Sequence, residues 1–366
     1  MGDRRQILSF DALRAIAAVL VMSSHVRDVL LQEYRQGFGR LTQIFYIVTS
    51  WGHPAVIMFF VLSGYWITKA VVERQEAGAF TWSGYLLDRL TRLWVVLLPA
   101  LVLGAAADFV TLEVLHFPPP NWGSQSILPH IETHYSLPYF AANVLFLQGL
   151  FAPTFGTNGP LWTLANEFWY YLWFPALHIA VATRRITVPA ILALGTAILF
   201  HSFLPGFVCW LCGSALYLLS RRFGPVNATW GIIGWLPFVV FFFLDHDSGS
   251  GVHDIALALA CILPFWRMKD WPLKKGPVAA YGAGSSYSLY AMHYPLLAVV
   301  VALLGLHERL RPSVLAIGAC LALSAALILA AWGFSQLTER HTRRVRQWAG
   351  SLGRSFGPGG TAPELP

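Results

Sequence analysis

The apolar stretch at residues 11–26 reads DALRAIAAVLVMSSHV and carries Arg14 near its start and His25 near its end. In an α-helix this spacing brings the two side chains to within about 20° of one face, about 16 Å apart along the axis. Asp11 lies three residues before Arg14, close enough on a helix to pair with it. A charged side chain deep in a bilayer costs at least about 2.5–3.5 kcal/mol, so such residues face the protein interior and are functional candidates. The alternative is a structural salt bridge with a hydrogen-bonded core histidine. Further on, YLLDRLTRLW presents Arg89 and Arg92 on one helical face. Two guanidiniums there suit phosphate, although anchoring at an interface is the simpler role for either alone. Glu167 stands in GPLWTLANEFWYYLW, at the depth of His25 when residues are counted from each helix boundary. A carboxylate there would fix the imidazole tautomer; a helix-terminal acid in contact with water is the alternative. Finally, GSSYSLYAMHYP gathers Ser286, Tyr287, Tyr290 and His293 at the start of one helix. Those groups could meet a polar ligand, or bond back to the helix or across to a neighbour.

The elements that hold these residues must be membrane helices. The chain of 366 residues is 56% hydrophobic and only 12% charged, against about 25% charged in soluble domains. With a mean hydropathy of +0.56, it reads as an all-α, polytopic membrane bundle. The net charge of +7 does not point to nucleic acid, because the basic residues lie in loops and not along one amphipathic face. Four cysteines, Cys209, Cys212, Cys261 and Cys320, fall in apolar segments. Small packing residues are the simpler reading of the Cys209–Cys212 spacing than redox or metal chemistry.

Apolar runs of roughly 20 residues, the length a bilayer requires, mark about ten spans. They fall at 9–31, 53–73, 89–114, 161–182, 187–203, 206–220, 229–245, 252–267, 285–305 and 313–337. A shorter run, 138–151, is read as an interfacial or re-entrant helix. The basic N-terminus shows no clear cleavage site and is read as leading into a retained first helix. Ten crossings put both termini on one side, and most of the 25 Lys and Arg fall there. Arg27, Arg35, Arg40, Arg309 and Arg311 fall on the other, so both termini are expected in the cytoplasm. The long loop at 115–160 then faces outward with His116, His130, His134, the run PPPNWG and several aromatics. A single transmembrane domain over 1–348 and a disordered tail over 349–366 complete the expected organisation.

Five segments together resemble the integral-membrane acyltransferase 3 family: FDALRAIAAVLVMSSHV, FFVLSGYWIT, DRLTRLW, PLWTLANEFWYYL and SYSLYAMHYPL. They run in the family's order over nearly the whole chain. The resemblance implies transfer of acyl groups, most often acetyl, from acyl-CoA to sugars of bacterial surface or secreted glycans. It carries the first-helix pair onto Arg14 and His25, and the R-x-x-R pair onto Arg89 and Arg92. The acid after W-[ST]-L falls on Glu167, and the SYSLY…H segment on Ser286, Tyr287, Tyr290 and His293. Many members have two adjacent acids after W-[ST]-L, whereas here Phe168 follows Glu167. Many also carry a C-terminal hydrolase-like domain. The 366 residues hold no such segment, which leads one to expect transfer without a relay to a fused domain.

The expected mechanism has cytoplasmic acyl-CoA as donor substrate and no metal. Arg14, Arg89 and Arg92 hold its phosphates, and Ser286, Tyr287, Tyr290 and His293 line its channel or donate to the developing oxyanion. His25 is general base or transient acyl carrier, with Glu167 orienting it. The expected partners are a glycan or glycolipid acceptor and membrane lipids, with no nucleic acid, and a homo-oligomer stays open. The expected location is the bacterial cytoplasmic membrane. A transporter or flippase of a lipid-linked saccharide is the rival, since intramembrane charges and outward aromatics fit it too.

Overall fold

The computed structural model describes residues 7–35, 38–117, 134–244, 251–271, 273–274 and 276–355, and the side chains of 352–355 are not described. Among the described residues every regular element is helical, apart from the isolated bridges Leu31–Leu310 and Gln148–Ala152. The elements are α1 (Leu8–Leu30), α2 (Arg40–Thr49), α3 (Gly52–Glu76) and α4 (Trp82–Phe109), which ends in a π-turn at Val110–Val114. Next come α5 (Leu137–Val144), α6 (Trp162–Thr183), α7 (Val188–Leu199) and α8 (Leu204–Phe223). Four short helices follow: α9 (Ala228–Ile233), α10 (Trp235–Leu244), α11 (Gly251–Ala260) and α12 (Ile262–Lys269). The chain closes with α13 (Pro277–Gly284), α14 (Ser286–Leu303), α15 (Val314–Leu337) and α16 (Thr342–Ser355).

Seven helices among the described residues are long and apolar enough to cross a membrane. The three other expected spans, 161–182, 187–203 and 229–245, are helical but shorter or less apolar. α7 has 12 residues, the third span is broken between α9 and α10, and α6 carries Asn166, Glu167 and many aromatics. The expected re-entrant segment 138–151 is helical only in its first half, α5. α4 begins seven residues before the boundary expected at 89, because Thr81 caps it by accepting from Gly84 N–H at 3.3 Å. Arg89 and Arg92 therefore lie two turns inside the helix and not at its first turn. α16 runs to Ser355, past the start at 349 of the segment expected to be a disordered tail. The rest of that tail lies outside the described residues, as do PPPNWG and His130 in the outward loop.

α1 is the central helix, packed against α2, α3, α13, α14 and α15. Two contacts need glycine. A methyl group at Gly64 of α3 would meet Trp210 O at 1.9 Å, and one at Gly213 of α8 would meet Val61 O at 1.9 Å. These two helices therefore touch backbone to backbone, the close approach that small residues allow in membrane bundles. The contact brings Trp210 Nε1–H to Ser63 Oγ at 3.2 Å and Thr68 to Ser214 at 2.5 Å. Gly282 of α13 lies as tightly on Asp11 O of α1, where a methyl group would come to 1.7 Å. α3 is thereby locked in register with α8, and α1 with α13.

Candidate active site

His25 and His293 meet at the centre of the bundle. His25 Nδ1 lies 2.8 Å from His293 Nε2, with the ring planes 4° apart. His293 is fully buried, and its Nδ1 lies 2.9 Å from Leu289 O, one turn back on α14. A carbonyl oxygen only accepts, so His293 Nδ1 carries the proton. With both rings neutral, His293 Nε2 is then the acceptor and His25 Nδ1 the donor. One tautomer follows for the pair: His25 Nε2 is left as an unprotonated lone pair on a ring that is only partly buried. Tyr294 packs its ring edge against His25 at 5.4 Å and completes the wall.

Tyr290, one turn below His293, ties α14 to α6. Its hydroxyl donates to Pro160 O at 2.5 Å and meets Thr163 Oγ1 at 2.6 Å. α6 then runs away from the imidazoles, so Glu167 sits one turn nearer the N-terminal end of α14. By helix rise, Glu167 and His293 are separated by about 10 Å along the bundle. The expected match in depth between Glu167 and His25 does not hold. Helix α6 begins with a 3-10 turn at Gly159–Leu161 that packs on α14, so its first residue does not mark the level from which depth was counted. Glu167 Oε1 instead accepts from Ser63 Oγ at 2.7 Å and from the Tyr171 hydroxyl. The group that orients His25 is His293, not Glu167.

At the other end of α1, Arg14 Nη1 is 3.9 Å from Asp11 Oδ1, the expected pair. Its charge interacts with those of Arg92 and Glu167. Arg89 and Arg92 both act on Tyr171, and Arg89 also covers the Tyr85 ring at 5.9 Å. Arg89 Nε is buried with no hydrogen-bond partner among the described residues. An open cleft of about 600 Å³ lies here between α4, α13, α14 and the end of α15, lined by Arg92, Tyr281, Tyr287, Glu339 and Arg340 among others. Tyr287 donates to Leu93 O at 3.1 Å, which fixes its ring on the wall. The Ser286 hydroxyl returns to Gly282 O of α13 at 2.8 Å and is taken up by the preceding helix. Ser288 is turned towards Glu339, with Oγ–Oε2 3.0 Å.

The structure thus sorts the residues singled out from the sequence into two groups. Arg14, Arg89, Arg92, Glu167 and Tyr287 gather at one end, and His25, His293 and Tyr290 gather at mid-bundle. His293 leaves the donor group in which the sequence placed it. Ser63, Thr163, Tyr171, Ser288 and Glu339 were not singled out. Tyr171 had a signal, being four residues after Glu167 on one helix. Glu339 had only its rarity, as an acid at the end of the last apolar run. Beyond His25, Arg27 donates to Asp28 at 2.9 Å, sits over the Tyr46 ring at 5.4 Å and acts on His25 by its charge. The four cysteines are buried and unbridged, which fits packing. Among the described residues no three His, Cys, Asp or Glu gather to hold a metal ion.

The arrangement offers an imidazole lone pair at His25 and, about 16 Å away along α1 by helix rise, a cluster of arginines. "Protein 2 in picA locus" of Rhizobium radiobacter is 29% identical over 168 residues, covering 44% of this chain and 77% of that protein. A "putative O-acetyltransferase" of Staphylococcus aureus (strain COL) is 23% identical over 346 residues, covering 81% of this chain. The chain spans about half, 51%, of the staphylococcal protein's length. No solved structure matches. The sequence model of the acyltransferase 3 family, described as an acyltransferase domain, matches residues 7–331, and the chain belongs to that family.

Proposed function

We propose that the protein transfers an acyl group, acetyl foremost, from acyl-CoA to a hydroxyl of a bacterial surface or secreted glycan or glycolipid. The observation that carries this reading is the His25–His293 pair with His25 Nε2 left free. The acceptor hydroxyl gives its proton to His25 Nε2 as its oxygen attacks the thioester carbonyl. The C–S bond then breaks, and the departing CoA sulfur takes the proton back from His25. His293 keeps the charged imidazole oriented through its Nε2 lone pair. Acylation of His25 itself would use the same lone pair, and ping-pong kinetics would reveal it. Arg14, Arg89 and Arg92 supply the charge for the donor phosphates, and Tyr287 the wall of its channel. Glu167, bonded to Ser63 and Tyr171, sets a negative charge towards Arg14.

The membrane reading goes with this. Seven of the ten expected spans are helices long and apolar enough to cross a membrane, and the distribution of Lys and Arg supports cytoplasmic termini, with the arginine cleft facing cytoplasmic acyl-CoA. The acceptor then reaches His25 past Arg27 and Asp28. The relatives come from bacteria, which supports the bacterial cytoplasmic membrane as its place. Purified protein in nanodiscs, given acetyl-CoA labelled in its acetyl group and a crude glycan extract, tests the reading. Label should pass to glycan with wild type and not with His25→Ala. Equal transfer by a folded His25→Ala protein would remove the mechanism, and transport of a saccharide without acyl-CoA would replace it.

A further inference from the structure

The arginine cleft contains its own anion. Among its described lining residues the cations are Arg92 and Arg340, and the acid is Glu339. Glu339 follows the end of α15 in a single 3-10 turn, and its carboxylate reaches across to α14. The Ser288 Oγ–H and N–H both donate to Glu339 Oε2, at 3.0 and 3.3 Å. Ser285 and Ser335, 2.9 Å apart at their Oγ atoms, zip the same two helices one turn away. The charge of Glu339 acts on Arg92 and on Arg14. Arg340 is drawn aside by Gln336, to whose Oε1 it donates at 3.0 Å. Arg92 is exposed at the cleft and makes no hydrogen bond or ion pair among the described residues.

Two physical points give this acid a role. Arg14 and Arg92 are like charges that oppose one another, so a resident anion eases the empty site. The same anion repels any phosphate that arrives, because like charges at close range oppose one another strongly away from bulk water. A glutamine would bond Ser288 equally well and would not repel. A carboxylate here therefore weakens the site for anions. That has a use, on the reading proposed above. Donor and product carry the same phosphates, so a handle that binds them too well holds the product as tightly as the donor and stalls turnover.

We infer that Glu339 is the resident anion of the donor site: it neutralises Arg92 and Arg14 while the cleft is empty, and is displaced from Ser288 when the phosphates of the donor enter. The ligand chemistry it governs is that of a polyphosphate group. The exchange leaves a negative charge near the arginines at both stages and lets CoA depart.

The test is titration calorimetry of coenzyme A, and of pantetheine, which lacks phosphates, into full-length protein in phosphatidylcholine nanodiscs. Wild type is compared with Glu339→Gln and Glu339→Asp, and thermal unfolding reports whether each is folded. Glu339→Gln should bind coenzyme A at least fivefold more tightly and pantetheine no more tightly, and should be inhibited more strongly by product. Glu339→Asp keeps the charge on a shorter arm and should fall between the two. Equal or weaker binding of coenzyme A by a folded Glu339→Gln protein overturns the inference and leaves Glu339 as a helix cap. A gain that disappears in phosphatidylglycerol nanodiscs overturns it too, since the freed site would then be taking a lipid headgroup. If wild type and all variants ignore coenzyme A, the donor itself is wrong, and the inference falls with the proposed function.

Discussion

The two ends of the donor path are built on opposite plans. At the arginine end, Arg14, Arg89 and Arg92 come from two helices and act on shared neighbours, and Arg92 lines an open cleft. No single distance there is critical, because Coulomb interactions fall off slowly and several cations share one load. At mid-bundle, one chain of hydrogen bonds runs from Leu289 O through His293 to His25, with nothing duplicated. Each link decides the proton of the next. A site of the first kind holds a large flexible anion and can be retuned by degrees. A site of the second kind handles one proton, and breaking a link changes which nitrogen carries it.

The sharpest way to break the comparison is at the single lone pair. His25→Ala should lower acyl transfer by about 10³-fold or more, within the range for losing a positioned base together with any nucleophilic role. Label transfer in nanodiscs measures it, with thermal unfolding as the control for folding. A fall of less than tenfold would mean that the imidazole is not the reacting group.

His293→Ala removes the link behind it and frees the His25 tautomer. The expected loss is about 10²-fold in kcat, with the KM for acyl-CoA unchanged within about twofold. Added imidazole should restore part of the rate, since a small base can occupy the vacated cavity. A rise in KM without a change in kcat would return His293 to the donor path, where the sequence had placed it.

Arg92→Ala attacks the other plan. Charge-assisted hydrogen bonds contribute about 1.5–3 kcal/mol, so the KM for acyl-CoA should rise by about tenfold or somewhat more while kcat falls little. The double variant with Arg14→Ala should cost less than the product of the singles, because the two cations interact. Strict multiplicativity would show that they act on separate groups.

The contrast also explains what was legible in the sequence. Charges in apolar helices announce themselves by their expense, so Arg14, Arg89, Arg92 and Glu167 could be found from type and position. The Arg14–His25 stripe follows from helical period, and the helical identity of the expected spans from apolar length. The partner of His25 did not follow. Depth along a helix depends on where the helix begins, and caps and turns such as Thr81 before α4 and the 3-10 turn before α6 shift those beginnings without changing the apolar run. Glu167 therefore lies about 10 Å, roughly two turns, off the level of the imidazoles, and the group bonded to His25 is His293. Breaks such as that between Ile233 and Trp235 were hidden because the apolar run continues through them. Contacts between helices distant in sequence, Ser288 with Glu339 or Ser63 with Glu167, leave no periodic trace.

The smallest expected effect tests whether the arginine end tolerates loss as its design implies. Ser286 lies at the mouth of α14 in a segment the family resemblance links to the donor, yet its hydroxyl is bonded to Gly282 O of the preceding helix. A hydroxyl returned to the backbone four residues earlier is already satisfied and has no lone hydrogen to offer a ligand. Ser286→Ala should therefore change the KM for acyl-CoA by no more than about twofold and stability by no more than about 0.5 kcal/mol. Ser288, two residues on, points the other way and is bonded to the one acid of the cleft. Ser288→Ala should be felt more, as a shift in coenzyme A affinity in the direction of Glu339→Gln, because it loosens the carboxylate from its seat. A tenfold effect at Ser286 and none at Ser288 would reverse that assignment, and would mean that the hydroxyl of Ser286 turns into the cleft during turnover.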